Sequence, residues 1–409
     1  MLKYLNNIAL IGEDIPALAA LRQKGKVAFT GLPDKKTEAY KYTPVSSCLK
    51  EEMFSKPAHC HTHQNGHCDC EQKHLPFDAY EILFCNGTLH EHFHYCDGLE
   101  VSSLLDAVTD HEIGKYLNKF ELEKFPFAAL NTAFLEQGIF LRVFKDIKKP
   151  IGLIYHTKQN GFENIHNIVV LEKNVNAEII EVFEGKNSIS LANVVNEFFV
   201  LQNATLTHYK WQNSSPQAVH IALNRVDIKA DGKYQSYTLQ TGSKLARDET
   251  QACLKEQNAS AVVNAAYRLS ADGLVDTTTD IEHLSPSTAS NQIVRGVVDG
   301  QAHGVFQGKI HIAPNTFDVS GHQSHKALLL SDDAKIDVKP ELEIFADDVQ
   351  CSHGATSGEL NANELFYLQS RGIDEQTART VLTSAFLKTA FEDIPNSDIK
   401  TFFEELLMG

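Results

Sequence analysis

The feature that most limits the fold is a change of hydrophobic period, from helical to two-residue, at about Ile139. Short β-branched and aromatic runs then follow one another for about 200 residues, separated by Gly, Asn and Asp. In the run ATLTHYKWQ, Thr207 and Tyr209 share one face, while His208 and Lys210 share the other. Because no helical segment interrupts these runs, an alternating βαβ sheet is excluded, and a sandwich, a barrel or a β-solenoid remains. No clean fixed-period repeat is visible that would select the solenoid.

Helical patterns flank this β region. The first 137 residues are predicted to be mainly helical, with apolar residues three and four apart in DIPALAALRQKGKVAF and ELEKFPFAALNTAFLEQG. The run YEILFCNGTLH within that region reads as a strand and a turn. After the β core at 138–353, the pattern returns to helix over 354–409. There, Asn361 is a predicted N-cap with Glu364 three residues on, and Gly372 is a predicted stop.

Composition narrows the classes of partner and the compartment. The formal net charge is -16 and no basic run occurs, which argues against a nucleic-acid partner. The N-terminus is a poor signal peptide and no long apolar run occurs, so we expect a cytoplasmic protein without a membrane span. The eight cysteines lack the density of a secreted disulfide scaffold, and we interpret them as reduced thiols.

The usual catalytic and nucleotide-binding motifs are absent from the sequence. It contains no GxxxxGK[ST] loop, GxGxxG turn, GxSxG elbow or HExxH helix. We therefore expect no nucleotide on this chain. The missing motifs also favour a scaffold protein over an enzyme.

The first candidate site is Cys351 with His353, in DDVQCSHGATSGEL. If Val349 to His353 continue a strand, the two side chains point the same way, about 6.5 to 7 Å apart. That separation suits an exchangeable or interfacial metal centre, because a closed tetrahedral site would need two further ligands. The alternative is a buried thiol beside a hydrogen-bonded histidine at a sheet end.

A second candidate is the Cys/His-rich insert at residues 59–74. Its thiolates and imidazoles are the ligands that Zn and other late first-row metals prefer. Their spacing matches no closed zinc finger, so the alternative is an exposed insert that binds Zn or Fe only adventitiously. The candidate ligands are His59, Cys60, His61, His63, His67, Cys68 and Cys70.

Carboxylates form a third candidate site. Asp276, Asp280 and Glu282 alternate along one face of a predicted strand, as the acidic residues of β-helical polysaccharide lyases do. A charged outer face of a solvated strand is the simpler reading. The nearby acidic positions are Asp272, Asp347 and Asp348.

The C-terminal amphipathic helices are a fourth candidate. Their apolar and aromatic faces either dock a partner or pack on the chain's own β domain, and the sequence alone does not decide between these uses. The candidate docking residues are Leu365, Phe366, Val381, Phe386, Phe402 and Phe403.

Several long segments resemble the SufB/SufD family of scaffold subunits from the SUF iron–sulfur cluster assembly system. The most specific is PELEIFADDVQCSHGATSGELNANELFYLQSRGI, and GVFQGKIHI and NTAFLEQGIFLRV extend the resemblance upstream. GLPDKKTEAYKYTPV, with Tyr40 where the family usually has Trp, is similar to the SufD branch. SufB-like sequences typically carry an acidic residue beside the cysteine, so the resemblance favours SufD.

The resemblance implies a right-handed parallel β-helix core flanked by N- and C-terminal helical regions. It also implies a non-catalytic subunit that pairs with a SufB paralogue, or with itself as a homodimer, and docks the SufC ATPase through its C-terminal helices. Cys351 and His353 would then lie near the SufB contact and help to deliver iron to a transient cluster shared with the partner. The other readings are a metal-storage or metal-sensing protein built on the insert, and a β-helical carbohydrate-active enzyme.

Overall fold

The protein is a parallel β-solenoid of about eight turns, with helices at both ends. The computed structural model describes residues 10–57, 74–90, 96–109 and 113–408. From β4 onward, odd-numbered strands form one sheet and even-numbered strands the other, so each turn contributes one strand to each sheet. This confirms the mainly β fold with flanking helices and excludes the sandwich and the barrel.

Within the part of the chain that the structure describes, sheet 1 has ten strands and sheet 2 has nine. In spatial order, sheet 1 contains β19 (Val349–Gly358), β17 (Val319–Leu329), β15 (Ala289–Val298), β13 (Ser260–Leu269), β11 (Lys233–Gln240), β9 (Thr205–Asn213), β7 (Asn176–Gly185), β5 (Ile151–Thr157), β1 (Tyr80–Cys85) and β2 (Thr88–His90). Sheet 2 contains β18 (Lys335–Ile344), β16 (His303–Ile312), β14 (Leu274–His283), β12 (Leu245–Leu254), β10 (Val219–Ile228), β8 (Ser190–Val200), β6 (Gly161–Leu171), β4 (Ile139–Val143) and β3 (Leu99–Ser103).

The α-helices in the described ranges lie before β1, between β3 and β4, and after β19. They are α1 (Pro16–Ala28), α2 (Val45–Cys48), α3 (Leu104–Val108), α4 (Pro126–Ala133), α5 (Ala362–Ser370), α6 (Glu375–Lys388) and α7 (Ser397–Met408). No helix in the described ranges is both long and apolar enough to cross a membrane.

Corner residues in the left-handed backbone region recur once per turn. Asn174, Asn203, Asp231 and Asn258 have φ of 61°, 57°, 57° and 60°. Asn and Asp tolerate this conformation better than other residues with side chains. The side-chain amide of Asn203 donates a hydrogen bond to Asn174 Oδ1 at 2.9 Å. The side-chain amide of Asn258 donates one to Asp231 Oδ1, also at 2.9 Å. These corners form a polar ladder along one edge of the solenoid.

The length of a turn varies, which explains why no fixed period is visible in the sequence. Val219 pairs with Leu245, 26 positions on, whereas His303 pairs with Lys335, 32 positions on. The connections at the corners can differ in length because only the strands must stay in register.

Apolar side chains of both sheets fill the interior, and the two helical regions cover different outer faces. Leu130 of α4 packs with Leu191 and Ile221 of sheet 2. On the other side, Phe403 of α7 packs with Tyr209 of sheet 1. The helical regions therefore cover hydrophobic sheet surface that would otherwise face water.

The local predictions at the C-terminal helices are confirmed. Asn361 caps α5, since its side chain accepts from the amide of Asn363 at 3.0 Å and donates to Glu364 at 3.2 Å. Gly372 follows the helix with φ of 87°. The predicted YEILFC strand also exists, as β1, but it pairs in parallel with β5. Sheet 1 therefore begins inside the region predicted to be mainly helical, and it ends at Gly358 rather than at His353.

Candidate metal-ligand site at the solenoid end

The last turn of the solenoid presents two strand edges. β18 and β19 are the final strands of their sheets, and no other strand in the described ranges pairs with their outer edges. Cys351 pairs with Gly321 of β17, and His353 pairs with Gln323. Gln323 is buried and His353 is exposed. Because paired residues point to the same side of a sheet, Cys351 and His353 continue an interior row and stand at the open end of the solenoid.

Cys351 is partly buried against a small apolar cluster that contains Ile310. Leu342 and Val349 pack against the same cluster. Gly321 lies beside Ile310 and the thiol, because a Cβ built there would be in tight contact with Ile310 Cγ2 at 3.2 Å and in ordinary contact with Cys351 Sγ at 3.5 Å. Burial raises the pKa of Cys351, and a hydrogen bond from the Gly321 backbone opposes that rise. The thiol is thus protonated at neutral pH and must release a proton to bind a metal.

His353 is the exposed member of the pair. Its imidazole makes no hydrogen bond to another described residue, whereas His322 on the opposite face of β17 contacts Ser352 Oγ at 2.8 Å. Strand geometry confirms that Cys351 and His353 share a face. Among the described residues, no group of three or more His, Cys, Asp or Glu side chains is arranged to hold a metal ion. The pair therefore offers two candidate metal ligands at the open end of the solenoid.

Of the carboxylates in the third candidate site, Asp276 is closed to solvent, whereas Asp280 and Glu282 are partly exposed. Asp276 is completely buried and forms an ion pair with Arg247 and a hydrogen bond with Thr43. Burial raises the pKa of Asp280 to about 6, and Glu282 accepts a hydrogen bond from Cys253 at 3.0 Å. Because Asp276 has no solvent access, it cannot act on a polysaccharide in this conformation.

The N-terminal GLPDKKTEAYKYT segment covers Asp276. The ring of Tyr40 lies over the Arg247 guanidinium, 4.3 Å from it, so an aromatic side chain at this position has a structural role. Burial opposes the charge of Arg247, but the carboxylates of Asp276 and Glu249 outweigh it and raise the pKa. Sequence reasoning missed Arg247, since nothing local marks it as the partner of the N-terminal segment.

The predicted docking residues fall into two environments. On α5, Phe366 is 71% exposed and Leu365 is half-buried. Tyr367, which sequence reasoning missed although it continues the Leu-Phe-Tyr run, is 58% exposed. On α7, Phe403 is fully buried, and the Phe402 ring packs edge-on to Trp211 at 5.7 Å. Val381 and Phe386 of α6 are half-buried.

The seven candidate ligands of the Cys/His-rich insert lie outside the described residues. They are His59, Cys60, His61, His63, His67, Cys68 and Cys70.

Two family models together cover almost the whole chain. The model of the SufBD core domain of the SUF system for FeS cluster assembly matches residues 154–386, and the model of the SufBD N-terminal region matches residues 3–153. An iron-sulfur cluster assembly SufBD family protein of Synechocystis is 27% identical, over 98% of this chain and 92% of the relative. The iron-sulfur cluster assembly protein SufD of Escherichia coli is also 27% identical, over 91% and 87%. The chain therefore belongs to the SufBD family of the SUF iron–sulfur cluster assembly system.

Proposed function

We propose that this chain is a non-catalytic scaffold subunit in iron–sulfur cluster assembly, and that Cys351 and His353 bind iron or a nascent cluster together with ligands from a partner. The observation that carries the proposal is the position of this pair at the open last turn of the solenoid. Two ligands leave a tetrahedral site incomplete, and in this proposal a second protein supplies the remaining ligands. The family membership and the similarity to a SufD protein support the same role.

The partner of the proposed complex is a SufB paralogue that continues both sheets. Unpaired strand edges are templates for further strands. At this end, the apolar interior residues Leu342 and Ile344 of β18 are only partly covered. A second solenoid end would pair with the edges of β18 and β19 and bury these side chains. In the absence of that partner, a second copy of this chain would use the same edges and form a homodimer.

The proposed complex also contains an ABC-type ATPase of the SufC kind, which would supply the nucleotide site that this sequence lacks. We place its contact on α5, because Phe366 and Tyr367 are exposed there while Phe403 of α7 packs inside the chain's own domain. Exposed aromatic side chains of this size are typical anchors of protein interfaces.

The test is anaerobic co-expression with candidate SufB and SufC subunits, capture on this chain and an absorption spectrum of the eluate. We expect both partners and an iron–sulfur chromophore. His353→Ala should abolish the chromophore while the chain stays folded, because its side chain is exposed and makes no hydrogen bond to another described residue. His322→Ala, an exposed histidine on the neighbouring strand and the opposite face, is the matched control and should retain it. Full cluster assembly by the His353→Ala variant would contradict the role given to that residue.

A further inference from the structure

A pair of histidines meets at the other end of sheet 1. His74 lies where the described chain resumes after residue 57, and its Nδ1 is 2.9 Å from Nε2 of His156 on β5. The two ring centroids are 4.4 Å apart. The side chain of His156 is 15% exposed, so the pair is sheltered but reachable from solvent.

Hydrogen bonds and strand pairing fix the backbone segments that carry the two histidines. The Glu81 carboxylate of β1 accepts hydrogen bonds from the amides of His74 at 3.3 Å and Leu75 at 3.0 Å. Leu75 is buried, which anchors the chain directly after His74. His156 lies between Cys85 of β1 and Glu184 of β7 in the register of sheet 1. The rings therefore approach each other from two fixed segments.

We propose that His74 and His156 form a two-imidazole binding site for a divalent late first-row metal ion such as Zn²⁺. Imidazole nitrogens bind such ions at about 2.0 to 2.1 Å, so two of them on one tetrahedral ion lie about 3.3 Å apart. The present separation of 2.9 Å between the two nitrogens needs only a small opening to admit an ion. The two described imidazoles supply two of the four ligands of a tetrahedral ion.

A carboxylate lies on the far side of the His156 ring, and carboxylates commonly orient metal-binding histidines. Oε2 of Glu184 lies 3.7 Å from Nδ1 of His156, the nitrogen that faces away from His74. At 3.7 Å the two atoms lie beyond hydrogen-bond distance, and a small approach of the carboxylate would let it accept the Nδ1–H and direct Nε2 at the metal. Glu184 is therefore a positioning residue in this proposal.

This site is distinct from the Cys351/His353 pair. Sheet 1 runs from β5 to β19 through seven strand spacings of about 4.8 Å, so the two sites are about 34 Å apart. The proposal does not depend on the cluster-assembly function, and it uses His74, the last residue of the 59–74 insert and one that the structure describes.

The experiment is equilibrium dialysis of the full chain against Zn²⁺, with bound metal quantified by mass spectrometry. Relative to the unmodified chain, His156→Ala should lose one equivalent of Zn²⁺. Glu184→Gln should retain that equivalent at an affinity about 10- to 100-fold lower. The matched control is His303→Ala, because His303 also contacts a carboxylate, Asp337, at 2.7 Å. It should bind as much Zn²⁺ as the unmodified chain.

Unchanged stoichiometry and affinity in a folded His156→Ala chain would overturn the proposal and assign the bound metal to other ligands. If that variant does not fold, Zn-edge anomalous diffraction from zinc-loaded crystals of the unmodified chain decides. Anomalous density between the two rings supports the site. Full zinc loading without density there overturns it.

Discussion

Breaking the buried ion pair beneath the N-terminal segment should cost several kcal/mol. Asp276 and Arg247 are both 0% exposed, and Asp276→Ala leaves the guanidinium without its main counter-ion and Thr43 without its acceptor. Removing one partner of a buried pair typically costs about 3 to 5 kcal/mol, because the remaining charge stays desolvated. Glu249, whose Oε2 is 2.8 Å from Arg247 Nη2, remains as a partial counter-ion and places the expectation at about 3 kcal/mol.

The same two strands offer a matched control in an exposed ion pair. Lys244, just before β12, pairs with Asp272, just before β14, and the Asp272 side chain is 67% exposed. Asp272→Ala should therefore cost no more than about 1 kcal/mol. The double variant Arg247→Met with Asp276→Leu removes both charges and should recover much of the stability lost by Asp276→Ala.

The assay is urea-induced unfolding followed by circular dichroism and by the fluorescence of Trp211, the single tryptophan of the chain. Limited proteolysis adds a local readout, since Asp276→Ala should expose residues 34–43 to cleavage before the solenoid unfolds. An Asp276→Ala variant that loses no more stability than Asp272→Ala would refute the reasoning. It would show that the N-terminal segment does not depend on this pair.

Three further predictions concern other parts of the chain. Gly321→Ala should destabilise the chain by about 1 to 3 kcal/mol, because the new Cβ would lie 3.2 Å from Ile310 Cγ2 and crowd it; an unchanged urea midpoint would contradict this. Burial raises the pKa of Glu163 from 4.5 to about 8, so the stability from its bound proton is complete below pH 4.5 and is lost as the pH rises toward 8, by up to about 1.4 kcal/mol per unit. Glu163→Gln should flatten that decline in urea midpoints between pH 5 and 8, and equal slopes for the two proteins would rule it out. Phe366→Glu should leave the thermal midpoint unchanged and reduce co-capture of the ATPase subunit, and full capture would move the contact away from α5.

Local patterns in the sequence were sufficient where the physics is local. A cap acts on amides within a turn, so Asn361 and Gly372 could be assigned as the start and end of α5. Side chains alternate along any strand, so the shared face of Cys351 and His353 followed from their spacing. The same alternation and the missing helical segments were enough to exclude a βαβ sheet. The long resemblance to the SufB/SufD family supplied the solenoid, which the residue patterns had left open.

The tertiary structure decided which distant residues meet, because contacts between turns depend on the register of the whole solenoid. Thr43 reaches Asp276 across 233 positions, and His74 reaches His156 across 82. The corner ladder of Asn174, Asn203, Asp231 and Asn258 was present in the sequence, but unequal turn lengths hid it. Nor does any local pattern show that Cys351 and His353 stand on the final strand of their sheet. The sequence alone determined the chemistry of these side chains and their local conformation. Only the stacking of the turns determined which of them are buried, which are paired and which remain open to a partner.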